Sequence, residues 1–467
     1  MMSQDQAAAI DARLLSVLPE GTLYAVGGRV RDELRARIEG IPLALKDLDY
    51  VVVGVALDEL VARLRTIARA QPAGASFPVV KVTFDGVTVD VALPRRERST
   101  GLGHRDFAID AGPDVRLEDD LARRDFRINM MARAIGSGRL VDPYEGEADV
   151  IARRIRLLRP EAFIEDPLRM LRAVQFATRF GYEIEPQTFA AIQAAADLLP
   201  TVSSERIHDE LVKLLHAPRP SVGIELLRAS GLLAQIWPEI LEGVGVEQNV
   251  WHAYDVYHHN LATLDAAPPD DLVVRLAALL HDVGKPRTKD GPHFYRHELV
   301  GAEMARKMLE RLRFDTETVE RVSGLVREHM YTANPEMTGP ALRRFVRRVG
   351  PANLAAQFAL RHADVAGSGL PKRDESNERF EARVATLLAE RPAMAVTDLA
   401  VSGEDVRDAL IRSGRLPAGS RGGREVGEVL RALLERVTDQ PEANERTTLL
   451  SLLDDEISRM EETRPSR

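Results

Sequence analysis

Two glycines and two aspartates, close together in the chain, could handle a phosphate and a metal ion. In the stretch LYAVGGRVRDELRARIEGIPLALKDLDYVVV, Gly27 and Gly28 end an apolar run, Arg31 and Asp32 follow at once, and Asp47 and Asp49 flank Leu48. Glycine lets backbone N–H groups approach a phosphate closely, and a helix starting there favours the anion at its N-terminus. Residues i and i+2 of a strand share a face, so Asp47 and Asp49 offer two hard oxygen ligands able to hold Mg²⁺ against a triphosphate. A second group lies far downstream. Eight of the eleven histidines fall between His252 and His362, and the spacing runs His259, His281-Asp282, His297, His329, then Asp364. Neutral imidazoles and carboxylates bind divalent transition metals.

The elements that must position these groups can be read from periodicity. From Leu23 to about Leu158, short β-runs alternate with helical stretches. VVKVTF and VTVDVAL flank Asp85-Gly86, a hairpin signal that places Asp90 on a strand, where it could join Asp47 and Asp49 as a third carboxylate. From about Pro160 the pattern is helical, with Leu168, Leu171, Val174, Gln175 and Thr178 at helix spacing. VYHHNLATL and RLAALLHDVGKP are also helical by apolar spacing, so His259 can meet His281 and Asp282 from a second helix. The expected fold class is an α+β head with a mixed sheet, followed by an all-α remainder. The expected division is 1–159, 160–225, 226–370 and 371–467.

At 467 residues the chain can hold several domains. It has no cysteine, which excludes disulfides and thiolate metal sites, so any metal must sit on His, Asp or Glu. No segment reaches the apolar length of a membrane span, and MMSQDQAAAI lacks the regions of a signal peptide, so a cytoplasmic location is expected. The formal net charge is −9, yet local patches and not the total set a nucleic-acid footprint. Arg95 to Arg179 is dense in arginine, the residue suited to bidentate phosphate contacts.

GGRVRD followed by KDLDYVVVG resembles the head of the tRNA CCA-adding enzymes and bacterial poly(A) polymerases. The likeness continues in order. LEDDLARRDFRINMMA resembles an RRDFTINA-type segment with Arg127 in place of threonine. VDPYEGEADV resembles DPxxGxxDL, EDPLRMLRAVQFATRF resembles the EDxxR nucleotide-reading helix, and ERIHDEL resembles ERxxxEL. The resemblance implies catalysis by Asp47, Asp49 and Asp90 with Mg²⁺. It implies triphosphate contacts from Gly27, Gly28, Arg31, Arg95 and Arg124, and reading of the base by Asp166 and Arg169, with Arg172 stacking or touching phosphate. Where relatives often carry a further arginine, this chain has Gln175.

WHAYDVYHHN and HDVGKP resemble the HD phosphohydrolase superfamily, whose minimal set would be His259, His281, Asp282 and Asp364. His297 and His329 would extend it to a two-metal site for Ni²⁺, Mn²⁺ or Co²⁺, with Lys285 near a substrate phosphate. His252, His258, His293 and His362 are expected outside the ligand set. VSGEDVRDAL and the segments after it resemble the last helical module of the CCA-adding enzymes. The function implied is template-independent addition of CCA to tRNA from CTP and ATP, with phosphatase or 2′,3′-cyclic phosphodiesterase activity in the HD region. The rivals are an enzyme adding only CC or only A, a poly(A) polymerase, and an HD phosphohydrolase with an RNA-binding head. Arg69 to Ser76 is the candidate for the flexible segment that would separate the first rival from full CCA addition.

Overall fold

The structure, a computed structural model, describes residues 2–43, 45, 47–73, 78–99, 107–248, 252–370 and 375–462. It divides into two compact units, Met1–Glu242 with Met308–Phe314, and Gly243–Lys307 with Asp315–Arg467.

The first unit is built on a mixed seven-stranded sheet. Strand β1 (Leu23–Val26) runs into the helix Gly28–Glu39, and β2 (Asp49–Val52) returns antiparallel to β1. After a helix come β3 (Arg69–Ala73), β4 (Val79–Phe84) and β5 (Val87–Ala92). The strands β6 (Arg95–Ser99) and β7 (Phe107–Ala111) pair only with each other, while β8 (Ala132–Ala134) and β9 (Leu140–Val141) complete the main sheet. Its order is β3-β4-β5-β2-β1-β8-β9. Alternation sets the faces: Val80, Val82, Phe84, Val89 and Val91 are buried. The turn expected at Asp85-Gly86 forms with φ of 48° and 86°, the two left-handed residues of a type I′ hairpin. The parallel pairing of β2 with β5 sets Asp49 directly beside Asp90.

Arg29 anchors the N-terminal helix Gln4–Leu15 to this sheet. Its buried guanidinium donates to Asp11 at 2.9 and 2.6 Å, to Glu33 at 2.9 Å and to the Tyr50 hydroxyl at 2.9 Å. That set of acceptors lets a cation sit in the interior, where an unpaired one would cost several kcal/mol.

The Arg69 to Ser76 segment differs from its expectation. Its first five residues are edge strand, each paired with β4, and Pro72 is tolerated there because one side of an edge strand needs no partner. Residues 74–77 lie outside the described residues. In the sheet order β3 is three strand spacings from β2, about 14 Å.

Beyond Pro160 the described chain is helical except for two-residue strands at Glu183–Ile184, Lys289–Asp290 and His293–Phe294. The helix Leu168–Phe180 packs on Ser204–Leu215 and ends at Gly181 in the left-handed conformation. Asp166 stands outside that helix, with φ −141° and ψ 93°. Pro167 follows it, and the residue before a proline is pushed out of the α region.

In the second unit the helix Leu272–Leu280 is buried from Val274 to Leu280, apolar there except for Arg275, the pattern of a central helix. Val256–Ala266, Thr316–Glu328 and Leu354–Gly367 pack around it. Gly284 permits a close backbone approach: a Cβ there would lie 2.4 Å from the His297 carbonyl oxygen and 2.6 Å from the Gly301 nitrogen. The helix Ser376–Ala389 packs Phe380, Val384 and Leu387 against Tyr331, Leu342 and Phe345, and a separate core from Ala393 onward includes Val406, Leu410, Val429, Leu433, Leu449 and Leu453. Among the described residues, no helix is long and apolar enough to cross a membrane.

Candidate functional site

A cavity of about 900 Å³ in the first unit gathers Gly27, Gly28 and Arg31, then Asp47 and Asp49, Arg123 and Arg124, and Asp166, Arg169 and Arg172. Gly27 has φ 67°, and a Cβ on it would lie 2.6 Å from Nη1 of Arg124, so glycine is what lets this cation lie against the backbone. Asp47 and Asp49 face outward on either side of buried Leu48, although the strand itself begins only at Asp49. Burial pushes the Asp49 carboxyl up; Arg124 opposes this, and the neighbouring Asp90 and Asp47 charges add to it. A divalent cation would relieve that repulsion, and the donor set is hard oxygen, so the residues fit one. Among the described residues the head carboxylates do not form a tight ligand group of three. Asp90 is not in the cavity lining and has Lys81 at 3.4 Å.

Arg95 also lies outside the lining, and its backbone N–H donates to Asp120 at 3.2 Å. Asp120 holds the cationic wall in place, accepting from Arg123 at 2.9 and 2.8 Å and from Arg124 at 3.2 Å. Burial works against its charge, but Arg123 and Arg124 keep its carboxyl below the usual range. Arg31 lines the cavity already partnered, with Asp32 at 2.8 and 2.9 Å and Asn129 at 2.7 Å. Arg172 donates from Nε and Nη2 to one oxygen of Asp125, at 2.9 and 2.6 Å, and its Nη1 is 3.4 Å from Glu210. The other Asp125 oxygen accepts from the Phe126 N–H and from Asn129. Burial raises the Asp125 carboxyl, yet Arg172 and Asn129 outweigh it and bring it down to about 2.

Asp166 and Arg169 both reach the cavity, but they do not pair. Asp166 accepts from Arg206 at 3.0 Å, and Arg169 donates to the Arg123 carbonyl at 2.7 Å. Sequence reasoning missed Arg206, Asp125, Asn129 and Asp32. Each lies inside one of the motifs above, yet the bonds from Arg206 to Asp166, from Arg172 to Asp125 and from Arg31 to Asn129 span 40, 47 and 98 positions. In all, ten arginine and lysine side chains and six carboxylates line the cavity, a local positive surplus in a chain of net charge −9. That surplus suits a polyanion.

The second unit brings the downstream histidines together from separate helices. Nε2 of His259 is 3.1 Å from Nε2 of His281 and 3.1 Å from Asp364 Oδ1. Nε2 of His297 is 3.3 Å from Nε2 of His329. Asp282 stands between the pairs, with Oδ2 3.4 Å from His281 and 3.6 Å from His259, and Oδ1 3.4 Å from His297 and 3.5 Å from His329. Each ring has a backbone carbonyl at Nδ1: Gly367 for His259, Ala278 for His281, Phe294 for His297 and Val326 for His329. With Nδ1–H donating to the carbonyl, Nε2 carries a lone pair, and two lone pairs then face each other in each pair. Asp282 Oδ1 is buried without a hydrogen-bond partner. Asp282 groups with His259 and His281 on one side and with His297 and His329 on the other, so the residues fit two divalent cations.

Lys285 is buried and donates to Asp282 Oδ2 and, at 2.6 Å, to Gln248. His252, expected outside the ligand set, instead groups with His259 and Asp364. Burial, then Lys285 and His259, lower its pKa to about 4, which keeps the ring neutral and able to ligate. His258 is held by Asp255, the N-cap of its helix, which accepts from the His258 N–H and meets its ring, and His362 pairs with Glu381.

Three known sequence families match in chain order. They are described as the poly A polymerase head domain at residues 23–156, a probable RNA and SrmB binding site of polymerase A at 181–243, and the HD domain at 239–385. The multifunctional CCA protein of Azoarcus sp. strain BH72 is 40% identical over 315 residues, 66% of this chain and 73% of that one. The same-named protein of Nitrosococcus oceani is 36% identical over 394 residues, covering 80% and 92%. The chain belongs to the CCA-adding enzyme family. Members are tRNA nucleotidyltransferases, and both this family and the HD family generally use divalent metals. The fold agrees: the CCA-adding enzyme of Bacillus stearothermophilus in complex with CTP superposes with a TM-score of 0.69 at 24% identity, over 99% of this chain and 100% of that one. The Thermotoga maritima CCA-adding enzyme complexed with tRNA superposes at 0.51 and 20% identity, over 93% and 91%.

Proposed function

We propose that this chain adds CMP and AMP from CTP and ATP to the 3′ end of tRNA, and that its second unit hydrolyses phosphoesters. The observation that carries the first part is the cavity, where Asp47 and Asp49, the Gly27-Gly28 turn, Asp166 and Arg169 all open on one space. Gly27 and Gly28 present backbone N–H groups to the triphosphate, and Arg123 and Arg124, held by Asp120, balance its charge. Asp47 and Asp49 would hold Mg²⁺, which when bound neutralises the triphosphate and makes the RNA 3′-hydroxyl more acidic. Asp166 accepts from an exocyclic amine, which cytosine and adenine both carry, while Arg169 donates to the acceptor edge. Nucleotidyl transfer needs little covalent help beyond such positioning and charge balance.

In the second unit His259, His281, Asp282 and Asp364 would hold one divalent ion and Asp282, His297 and His329 another, drawn from Ni²⁺, Mn²⁺ and Co²⁺. Such ions supply a nucleophilic hydroxide at neutral pH and polarise a phosphoryl oxygen. The rings stay oriented by their Nδ1 carbonyl contacts, and Lys285 adds positive charge beside Asp282. The natural phosphoesters proposed are 2′,3′-cyclic phosphates and phosphomonoesters.

Incubating the protein with tRNAs that end before C, CC and CCA, each with one labelled nucleotide, tests the first part. Ordered addition of two C and one A is expected. Addition of C alone or A alone would replace the reading with a restricted enzyme, and an extended A tail would replace it with a poly(A) polymerase.

A further inference from the structure

The helix Leu168–Phe180 presents Arg169, Arg172, Gln175, Phe176 and Arg179 to the cavity, a stripe about 15 Å long at the usual helical rise. The Arg169 end serves the base and the Arg172 segment is bound to Asp125. The Arg179 end has no function so far. Three guanidiniums crowd the Phe180 ring there, with the Cζ atoms of Arg35, Arg31 and Arg179 at 3.9, 4.8 and 5.3 Å from its centre. Two have their own carboxylates, Arg31 with Asp32 and Arg35 with Glu39. Arg179 makes no hydrogen bond or ion pair among the described residues. Burial and the neighbouring Arg31 charge lower its pKa in spite of Asp32, and Arg35 adds to the effect.

One turn back, on the same face, is Gln175. It is 1% exposed, and its buried Nε2 has no hydrogen-bond partner. An amide left unsatisfied in a cavity wall is costly unless a ligand supplies the acceptor. A crowded cation without a carboxylate and an unpaired donor next to it ask for the same thing, an anion rich in acceptor oxygens.

We propose that Arg179 and Gln175 form a phosphate subsite at the end of the cavity remote from Asp166. This rests on the reading of the cavity as the nucleotidyl-transfer site. The phosphate belongs either to the triphosphate tail of the incoming nucleotide or to the RNA strand being extended.

The test uses the full chain with Arg179→Ala, Arg179→Lys and Gln175→Leu. Calorimetry gives the Kd of inorganic tripolyphosphate and of CTP, and anisotropy gives the Kd of an acceptor-stem minihelix lacking CCA across a salt series. Arg179→Ala is expected to weaken one of the two kinds of ligand roughly 10- to 100-fold, the range of a charge-assisted hydrogen bond. Arg179→Lys should recover part of it, and Gln175→Leu should weaken the same ligand severalfold. A fall for tripolyphosphate and CTP assigns the nucleotide tail. A fall for the minihelix, with the slope of log K against log salt shallower by about 0.7 to 0.9, assigns the RNA strand. Should Arg179→Ala not fold, the lysine and leucine variants carry the same comparison. Unchanged affinities in folded variants overturn the subsite, as does a Gln175→Leu that melts higher and binds both ligands as before. A wild-type protein that binds neither ligand overturns instead the reading of the cavity on which the subsite rests.

Discussion

Asp125 is the carboxylate on which the cavity's arginine network turns, and replacing it with asparagine should show this in a pH-dependent way. Both of its oxygens are engaged, one by the Phe126 N–H and Asn129, the other by Arg172. Its carboxyl lies at about 2 instead of 3.8, so the native state favours the charged form by about 2 kcal/mol. Asparagine keeps the shape but turns one oxygen into an amide NH₂. That group must face either Arg172 or the two donors on the other side. Arg172 keeps Glu210 at 3.4 Å and is about one-third exposed, which holds the loss below the roughly 3–5 kcal/mol of a fully buried broken pair. The expected cost at pH 7 is therefore about 2 kcal/mol, or about 4–8 °C in Tm for a unit of this size. The sign follows from the depressed native value. The contribution of Asp125 is complete above the unfolded pKa near 4 and fades as pH falls toward 2. Urea melts of wild type and Asp125→Asn from pH 7 down to pH 3.5 should show a constant gap to about pH 5 and a narrowing one below pH 4. No gap at pH 7, or a gap that persists undiminished at pH 3.5 in a still-folded protein, would refute the assignment of charge to Asp125.

Three other outcomes are expected. Asp47→Ala or Asp49→Ala should lower nucleotide addition by at least about 100-fold, the scale of losing transition-state charge stabilisation, with tRNA binding in a filter assay largely kept; addition near the wild-type rate would remove the metal role from this pair. Asp282→Asn should reduce the bound transition metal, measured by elemental analysis after dialysis, abolish hydrolysis of 2′,3′-cAMP and spare CCA addition, because the cluster lies in the other unit; full metal content in the variant would remove the bridge. Arg169→Ala should cost CTP use roughly 10- to 100-fold and raise UTP or GTP incorporation in single-turnover assays, whereas an equal fall for all four nucleotides would assign Arg169 to phosphate or fold.

What could be read in advance depended on how local the cause was. The Asp47 and Asp49 pair follows from a two-residue period, and the Asp85-Gly86 turn from two residues that tolerate positive φ. HDVGKP directly follows a helix that is apolar except for Arg275, which accounts for the buried placement of His281 and Asp282. Pairings that span the chain left no such mark. Asp125 meets Arg172 across 47 positions and Asp166 meets Arg206 across 40. The likeness of EDPLRMLRAVQFATRF to a nucleotide-reading helix did carry its own warning, because Pro167 excludes Asp166 from the helix. Pro72 likewise marked Arg69 to Ala73 as edge strand. His252 could not have been separated from His258 and His293 by spacing alone; its place beside His259 and Asp364 is set by tertiary packing.

The two centres solve the problem of holding charge in opposite ways, and the difference bears on what each can do. In the first unit the carboxylates are exposed to the cavity and the cations around them are fixed by other acids, as Arg123 and Arg124 are by Asp120. A cation held there, as proposed, would compete with water and gain much of its hold from a polyanion arriving with it. In the second unit His259, His281, Asp282, His297 and His329 are buried, their rings are locked through Nδ1, and Asp282 faces both pairs. Under the proposed function, ions bound there would balance such a centre before any substrate enters. On the proposed function, one unit would assemble its charge around a nucleotide at each turnover, and the other would keep its charge resident.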